Sequence, residues 1–82
     1  MAAHSILIID DEPNQRFVLE QALRAIAGDW EILAVGSAAE ALLVIDRRVP
    51  DLIITDYNMP MMNGLELVAI VRDRKLTVPI IL

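Results

Sequence analysis

The chain contains no cysteine and only one histidine, and its seven basic residues are outnumbered by twelve acidic ones. Without cysteine there are no disulfides, no thiol chemistry and no cysteine-bound zinc. The formal net charge of -5 argues against a nucleic-acid surface in this segment, because phosphate contacts require clustered Lys and Arg. No apolar run approaches the roughly 20 residues of a membrane span, and residues 1–5 lack the pattern of a signal peptide. We therefore expect a cytoplasmic domain that contacts neither nucleic acid nor membrane.

What is present is an alternation of strand and helix patterns along the whole chain. Short runs rich in Ile, Leu and Val predict strands at Ile6–Ile9, Trp30–Val35, Leu52–Thr55 and Ile80–Leu82, and helical spacing predicts helices at about 14–27, 38–48 and 64–74. Such alternation is typical of a parallel sheet with helices on its faces, because parallel strands need crossover connections. At 82 residues the chain forms one α/β domain at most.

Two of the predicted helices carry local signals at their ends. Pro13 suits the first position of the first helix, and Gly28 suits its end. Ser37 and Glu40 have the spacing of a capping box at the start of the second helix. The residues of the first helix that we expect to pack on the sheet recur at helical spacing: Val18, Leu19, Ala22 and Ile26.

Acidic residues stand where the first and third predicted strands end. Asp10 and Asp11 follow the first strand directly, and Asp56 follows the third. The chain then turns, because Pro60 removes a backbone donor and the dipeptide Asn63–Gly64 tolerates positive φ. If the two strands are parallel neighbours, their carboxyl ends share one edge of the sheet, which is where open α/β sheets bind ligands. We therefore expect the three acids to share a crevice.

Carboxylates brought this close together repel each other. Two unit negative charges about 4 Å apart repel by roughly 4 kcal/mol at an effective dielectric constant of about 20. A divalent cation removes that cost. Oxygen-only ligands that leave coordination positions for water and phosphate oxygens suit Mg²⁺ better than Ca²⁺ or Zn²⁺. The position of the acids therefore predicts a magnesium site.

Four motifs occur in an order that resembles the receiver domain of two-component response regulators. They are Ile6–Pro13 at the first strand, Pro50–Pro60 at the third, Asn63–Glu66 at the following helix and Val78–Leu82 at the fourth strand. Together they span nearly the whole chain. The resemblance implies a flavodoxin-like receiver fold, which is a doubly wound parallel sheet, with the strand order 2-1-3-4 in this chain.

The resemblance also implies roles for individual residues. Asp56 corresponds to the phosphoryl acceptor, and Asp10 and Asp11 correspond to the acidic pair that holds Mg²⁺ together with Asp56. Asn58 corresponds to the residue whose backbone carbonyl completes the metal shell. The phosphoryl donor would be a sensor histidine kinase or a phosphotransfer protein. Such a domain is a regulatory phosphoacceptor rather than an enzyme, although it promotes its own phosphorylation and dephosphorylation.

The sequence departs from the family pattern at its carboxyl end. A complete receiver continues with a Thr or Ser after the fourth strand, a fifth strand ending in Lys, and two further helices. We therefore expect residues 1–82 to form a receiver domain that is incomplete at the C-terminus, without the fifth strand and the last two helices. Lys75 lies in the wrong element to replace the phosphate-binding Lys. The acceptor and metal half of the site is thus expected without the half that senses the phosphate.

Two surfaces are expected to promote self-association. The fourth strand would be a sheet edge, and its residues Ile80–Leu82 include no charge or proline to discourage pairing with another chain. Apolar residues at positions expected to face solvent would form one patch across the second and third helices: Leu43, Val44, Ala69 and Ile70.

A receiver-shaped interaction module that acts without phosphorylation is the main alternative function. An aspartyl phosphohydrolase fits less well, because such enzymes carry a second acid two residues after the nucleophile, where this chain has Asn58. A dinucleotide enzyme fits less well still, because no glycine-rich turn follows Ile9. The substitution Asp56→Asn separates the first two functions, since only the phosphoacceptor would lose its activity.

Overall fold

A computed structural model describes residues 4–82, so residues 1–3 of the expected domain lie outside the described residues. Strands and helices alternate as β1 Ser5–Ile9, α1 Pro13–Ile26, β2 Glu31–Val35, α2 Ala38–Arg47, β3 Leu52–Thr55, α3 Gly64–Asp73 and β4 Ile80–Ile81. All the predicted strands and helices are found, and none of their ends differs from the prediction by more than one residue. Within residues 4–82, none of these helices has both the length and the apolarity that a membrane crossing requires.

The four strands form one parallel sheet in the order β2-β1-β3-β4. β1 is central, since Ile6 pairs with Ile32 of β2 on one side and with Leu52 of β3 on the other. β4 adds two residue pairs at the edge of β3. The α/β class and the strand order are those predicted from the sequence, and they place the carboxyl ends of β1 and β3 next to each other.

The helices divide between the two faces of the sheet. α2 and α3 cover one face, which we call the α2/α3 face, and α1 covers the other, which we call the α1 face. On the α2/α3 face, Leu7 and Ile53 of the sheet are fully buried together with Leu67 and Val71 of α3. Because successive strand residues point to opposite faces, β1 also contributes to the other core. The buried cluster of the α1 face is smaller and consists of Ile6, Ile8 and Ile32.

Helix α1 packs on the sheet through a different stripe from the one predicted. Leu19 is half-buried against the α1-face cluster, as expected, and Leu23 accompanies it. Val18, Ala22 and Ile26 are exposed, so the prediction was wrong for these three residues. Two apolar stripes run side by side on this helix, and helical spacing alone does not tell which of them faces the sheet.

The complete capping box lies at α3 rather than at α2. The Ser37 hydroxyl accepts a hydrogen bond from the Glu40 N–H (3.1 Å), but the Glu40 carboxylate contacts that hydroxyl instead of the Ser37 N–H. At α3 both halves form, since Asn63 Oδ1 accepts from the Glu66 N–H (2.9 Å) and Glu66 Oε1 accepts from the Asn63 N–H (3.0 Å). The dipeptide predicted as a turn therefore starts a helix, with Asn63 as its cap.

The left-handed backbone conformation occurs at residues that the sequence did not single out. Gly64, expected to tolerate positive φ, does not adopt it, whereas Met61 (φ 72°) and Lys75 (φ 63°) do. Met61 lies in the loop between β3 and α3, and Lys75 follows the C-cap of α3. A residue with a side chain costs roughly 1–2 kcal/mol in this conformation. The neighbouring residues of the β3–α3 loop therefore impose this backbone conformation on Met61.

The apolar residues predicted to form one surface patch differ in exposure. Leu43 and Ala69 are exposed, but Val44 and Ile70 are half-buried, and Val44 packs against the core of the α2/α3 face. The concavity beside Leu43 and Val44 shares no lining residue with the one beside Ala69 and Ile70. A single continuous patch across α2 and α3 stays a prediction.

Candidate functional site

The acids predicted from the sequence lie at the carboxyl edge of the sheet. The Asp10 N–H donates to the Val35 carbonyl (3.1 Å), and the Asp56 N–H donates to the Ile9 carbonyl (2.9 Å). These two bonds continue the backbone pairing just beyond β1 and β3. They fix the backbone positions of Asp10 and Asp56, from which the acidic side chains extend.

The structure brings the carboxylates of Asp10, Asp11 and Asp56 together. One oxygen from each lies within 4.8 Å of the other two. Asp10 is buried, Asp56 is half-buried and Asp11 is exposed. The cluster therefore has a closed side against the sheet and an open side toward solvent, where a second molecule can approach.

The donor set of this cluster fits Mg²⁺. All three side chains offer hard carboxylate oxygens, which are the ligands that this ion prefers. The three carboxylate oxygens lie within 4.8 Å of one another, which brings all three within reach of a single cation. Three carboxylates leave further coordination positions for water and phosphate oxygens. The residues present therefore suit the metal that was predicted from the sequence.

Asn58 lies in the loop that follows β3, two residues after Asp56, and it is exposed. The family resemblance assigns its backbone carbonyl to the metal shell. The role of that carbonyl in metal binding stays a prediction.

Gly64 allows α3 to start directly against the end of β3. A Cβ atom at this position would lie 2.8 Å from the Asp56 carbonyl oxygen and 3.1 Å from the Tyr57 Cα. The Gly64 N–H also donates to the Tyr57 carbonyl (2.9 Å). The φ angle of Gly64 is not positive, so its backbone conformation does not require glycine. The close approach of two backbone segments does. The backbone of the candidate acceptor is thus held from the side of α3 as well as from β1.

Glu12 has a structural role at the start of α1, which the sequence analysis missed. Its carboxylate accepts hydrogen bonds from the N–H groups of Asn14 (3.2 Å) and Gln15 (2.7 Å), and its own N–H donates to Asp10 Oδ1 (2.9 Å). Glu12 therefore caps the helix and orients Asp10 instead of joining the three clustered acids. The sequence does contain a signal for this cap, because Pro13 at the first helical position makes the preceding residue, Glu12, the N-cap.

Arg16 is a second residue that the sequence analysis missed. Its Nη1 donates to the Asp10 carbonyl oxygen at 2.8 Å, and its guanidinium lies against Gly36. No sequence pattern indicates this contact, because it depends on the direction of a long side chain at the start of a helix. A cation is therefore attached to the backbone that carries the acidic pair.

Residues 6–82 match the family described as the response regulator receiver domain. The match extends over nearly the whole chain, from β1 to β4. The chain belongs to the response regulator receiver domain family. Receiver domains are the regulatory phosphoacceptors of two-component systems, and the family resemblance drawn from the four sequence motifs is thereby confirmed.

Curated relatives carry this receiver within longer proteins. The chain is 38% identical over 76 residues to the sensor protein EvgS of Escherichia coli K12, an alignment that covers 93% of this chain and 6% of EvgS. It is 36% identical over 80 residues to the response regulator protein FleR of Pseudomonas aeruginosa, covering 98% of this chain and 16% of FleR. The chain therefore spans a small part of each of these two relatives.

A solved receiver structure has the same architecture. The chemotaxis response regulator CheY4 of Vibrio cholerae matches this receiver with a TM-score of 0.84 at 30% sequence identity, over 94% of this chain and 64% of that chain. The parallel sheet and its strand order are those of the flavodoxin-like receiver fold. The fold predicted from the sequence is confirmed.

Proposed function

We propose that this receiver takes a phosphoryl group from a sensor histidine kinase or a phosphotransfer protein onto Asp56, in a Mg²⁺-dependent reaction, and relays the phosphorylated state to an output partner. The observation that carries the proposal is the approach of the Asp10, Asp11 and Asp56 carboxylates to within 4.8 Å at the carboxyl edge of the sheet. The relatives named as a sensor protein and a response regulator protein support the choice of donor. The domain acts as a regulatory phosphoacceptor in the cytoplasm rather than as an enzyme.

The metal ligands in this proposal are the carboxylates of Asp10, Asp11 and Asp56 and the backbone carbonyl of Asn58. When bound, Mg²⁺ supplies positive charge that offsets the negative charge of the phosphoryl oxygens and of the acids themselves. Asp10 is held by the Glu12 N–H on the buried side of the cluster. Asp11, which is exposed, leaves the approach to Asp56 open to a donor protein.

Asp56 is the attacking group. One of its carboxylate oxygens attacks the phosphorus of a phosphohistidine, the phosphorus–nitrogen bond breaks, and the imidazole nitrogen leaves with the bonding electrons and takes up a proton. The product is an acyl phosphate on Asp56, and attack of water on the same phosphorus later restores the carboxylate and releases phosphate. Because the Asp56 backbone is already bonded to Ile9, less of it has to be ordered when the donor binds.

Incubation with acetyl phosphate and Mg²⁺, followed by intact-protein mass spectrometry, tests this proposal. We expect the wild-type chain to gain one phosphoryl group, and we expect chelation of Mg²⁺ to prevent the gain. Asp56→Asn should gain none, whereas the matched control Asp73→Asn, an exposed acid at the end of α3, should behave like the wild type. Absence of the phosphoryl mass from a folded wild-type chain would contradict the proposal.

A phosphorylation-independent interaction module is the second candidate function, and exposed apolar side chains favour it. Val18 and Ile26 on α1 are 65% and 82% exposed, and Ile81 on β4 is also exposed. Self-association through the β4 edge or through an apolar helix face would remove such residues from water. This function predicts that Asp56→Asn leaves binding unchanged, and sedimentation that shows a folded monomer at high protein concentration would exclude the self-association.

A further inference from the structure

Arg16 folds back from the first turns of α1 onto the acidic pair. Its Nη1 donates a hydrogen bond to the Asp10 carbonyl oxygen, six residues earlier in the chain, at 2.8 Å. That carbonyl belongs to the peptide that joins Asp10 to Asp11. Arg16 is half-buried and the bond itself is partly buried, so this charge-assisted bond is less exposed to competition from water than a surface bond would be.

The space for the guanidinium is provided by Gly36, in the turn between β2 and α2. A Cβ atom on Gly36 would lie 2.8 Å from Arg16 Nη1 and 3.7 Å from Arg16 Cζ. The Arg16 side chain therefore occupies the volume that a side chain at position 36 would need. Because the nearest atom is the far end of a flexible side chain, a methyl group there would displace the guanidinium rather than break the fold.

These contacts fix the backbone on both sides of the Asp10 Cα, and the second of them holds the peptide that leads to Asp11. The Asp10 N–H is bonded to the Val35 carbonyl (3.1 Å), and Arg16 holds the Asp10 carbonyl from the other side. Rotation of the peptide between Asp10 and Asp11 would break the bond to Arg16. Asp11 is exposed, so the backbone determines much of the direction in which its carboxylate points.

We propose that Arg16 is a positioning residue for the acid cluster, which holds the Asp10 carbonyl from the space left by Gly36 and so keeps the Asp10 and Asp11 carboxylates where they can share one divalent cation. The inference rests on the proposed function, because it takes this cluster to be the Mg²⁺ site. This positioning role and a purely electrostatic effect of Arg16 predict opposite changes in Mg²⁺ affinity when Arg16 is removed. A nearby cation that acted only by its charge would weaken Mg²⁺ binding, so its removal would strengthen binding.

The test is the Mg²⁺ affinity of the full chain, measured by isothermal titration calorimetry. Arg16→Met removes the donors and the charge, and we expect it to weaken Mg²⁺ binding about 10-fold, at the lower end of what substitutions behind metal ligands produce. Arg16→Lys should weaken Mg²⁺ binding less than Arg16→Met, because an ammonium group can still reach the Asp10 carbonyl. Some loss should remain, because the lysine side chain does not fill the space at Gly36. Arg24→Met is the matched control, since it removes an arginine of the same helix that pairs with Glu20, and it should leave the affinity unchanged.

Gly36→Ala tests the same contact from the other side. Its added methyl group displaces the guanidinium, so it should weaken Mg²⁺ binding in the same direction as Arg16→Met. The double variant should bind no more weakly than Arg16→Met alone, because both changes remove one contact. Equal or tighter Mg²⁺ binding by Arg16→Met, or fully additive losses in the double variant, would overturn the proposal.

Amide hydrogen exchange in the metal-free protein gives a readout that does not depend on Mg²⁺. We expect faster exchange at Asp10 and Glu12, whose N–H groups donate to the Val35 carbonyl and to Asp10 Oδ1, in Arg16→Met and in Gly36→Ala, with unchanged exchange in α3. Unchanged exchange at these two amides would also overturn the proposal. If the wild-type chain binds no Mg²⁺, the proposed function fails, and this exchange comparison then decides by itself whether Arg16 orders the acidic backbone.

Discussion

The two faces of this sheet are held in different ways. On the α2/α3 face, Leu67 and Val71 of α3 are fully buried against Leu7 and Ile53 of the sheet. On the α1 face, none of the residues 13–26, all of them within the described chain, is buried, although Ile8 of the sheet beneath them is. One face is therefore stabilised mainly by apolar packing, and the other has much less of it.

Polar contacts along α1 compensate for part of this difference. Glu12 caps the first turn, and Arg16 bonds to the backbone before the helix. Arg24 forms an ion pair with Glu20 (2.7 Å) and donates to the Ile32 carbonyl (3.3 Å). Hydrogen bonds of this kind fix direction well but contribute only about 0.5–1.5 kcal/mol each, or somewhat more when a charge takes part.

The acid cluster is supported differently from these two faces. Asp56 leads into α3, whose position is fixed by a dense core. Asp11 leads into α1, whose position depends on a few hydrogen bonds and on half-buried leucines. We infer that loss of order at the site begins on the side of Asp10 and Asp11.

Leu67→Ala should have the largest effect on stability. Leu67 is fully buried, and truncation of a buried leucine costs about 2–5 kcal/mol, a large share of the roughly 5–15 kcal/mol that stabilises an ordinary domain. We expect the cooperative urea transition, followed by circular dichroism, to disappear or to shift strongly. Leu65→Ala, on the exposed side of the same helix, is the matched control. A similar loss in both variants would contradict the dense packing of the α2/α3 face.

Gly64→Ala should rank second and should act at the site itself. The new Cβ would meet the Asp56 carbonyl oxygen at 2.8 Å, and backbone cannot yield as a side chain does, so we expect a loss of about 1–3 kcal/mol. Gly28→Ala is the control, because its nearest atom is at 3.5 Å, and it should be neutral or slightly stabilising. Urea midpoints measure both, and equal midpoints would show that the start of α3 is looser than described.

Leu23→Ala should cost less than Leu67→Ala, although the chemical change is identical. Leu23 is half-buried on the α1 face, so we expect about 1–2 kcal/mol from the lost contacts. The same urea experiment compares the two leucines directly. If Leu23→Ala proved as damaging as Leu67→Ala, the difference between the faces would not exist.

Val18→Ser should have the smallest effect. Val18 is 65% exposed, and substitutions at such positions usually change stability by less than about 0.5 kcal/mol. A loss that grows with protein concentration would show that a second copy of the chain covers this side of α1. A large loss at every concentration would show instead that the outer side of α1 is packed within the monomer.

Much of this architecture could be predicted because strand burial leaves a simple trace in the sequence. A central strand covered on both faces must be apolar throughout, as Ile6–Ile9 is, and amphipathic helical segments separate one such run from the next. The approach of Asp56 to Asp10 then followed from the adjacency of the first and third strands, which the resemblance to the receiver domain implied. The stripe of α1 that faces the sheet could not be predicted, since Val18 and Leu19 both belong to apolar stripes.

The contacts that support the site could not be predicted from the sequence, for a different reason. The bond from Arg16 to the Asp10 carbonyl depends on a side-chain conformation, and the space at Gly36 comes from another part of the chain. The left-handed conformation of Met61 is imposed by the loop around it, against the preference of the residue. Sequence patterns report local preferences, whereas these features arise only once distant segments meet.

The hydrogen bond from the Gly64 N–H to the Tyr57 carbonyl closes the β3–α3 loop at its base. Residues 58–63 therefore form a loop whose two ends are bonded to each other, and its interior is anchored because Met59 is buried in the core of the α2/α3 face. Met61 is fully exposed on this loop, so its side chain is accessible to a partner that docks there. Because Met61 lies in a loop that is bonded at its base next to Asp56, we expect a displacement of Met61 to be transmitted to the Asp56 backbone.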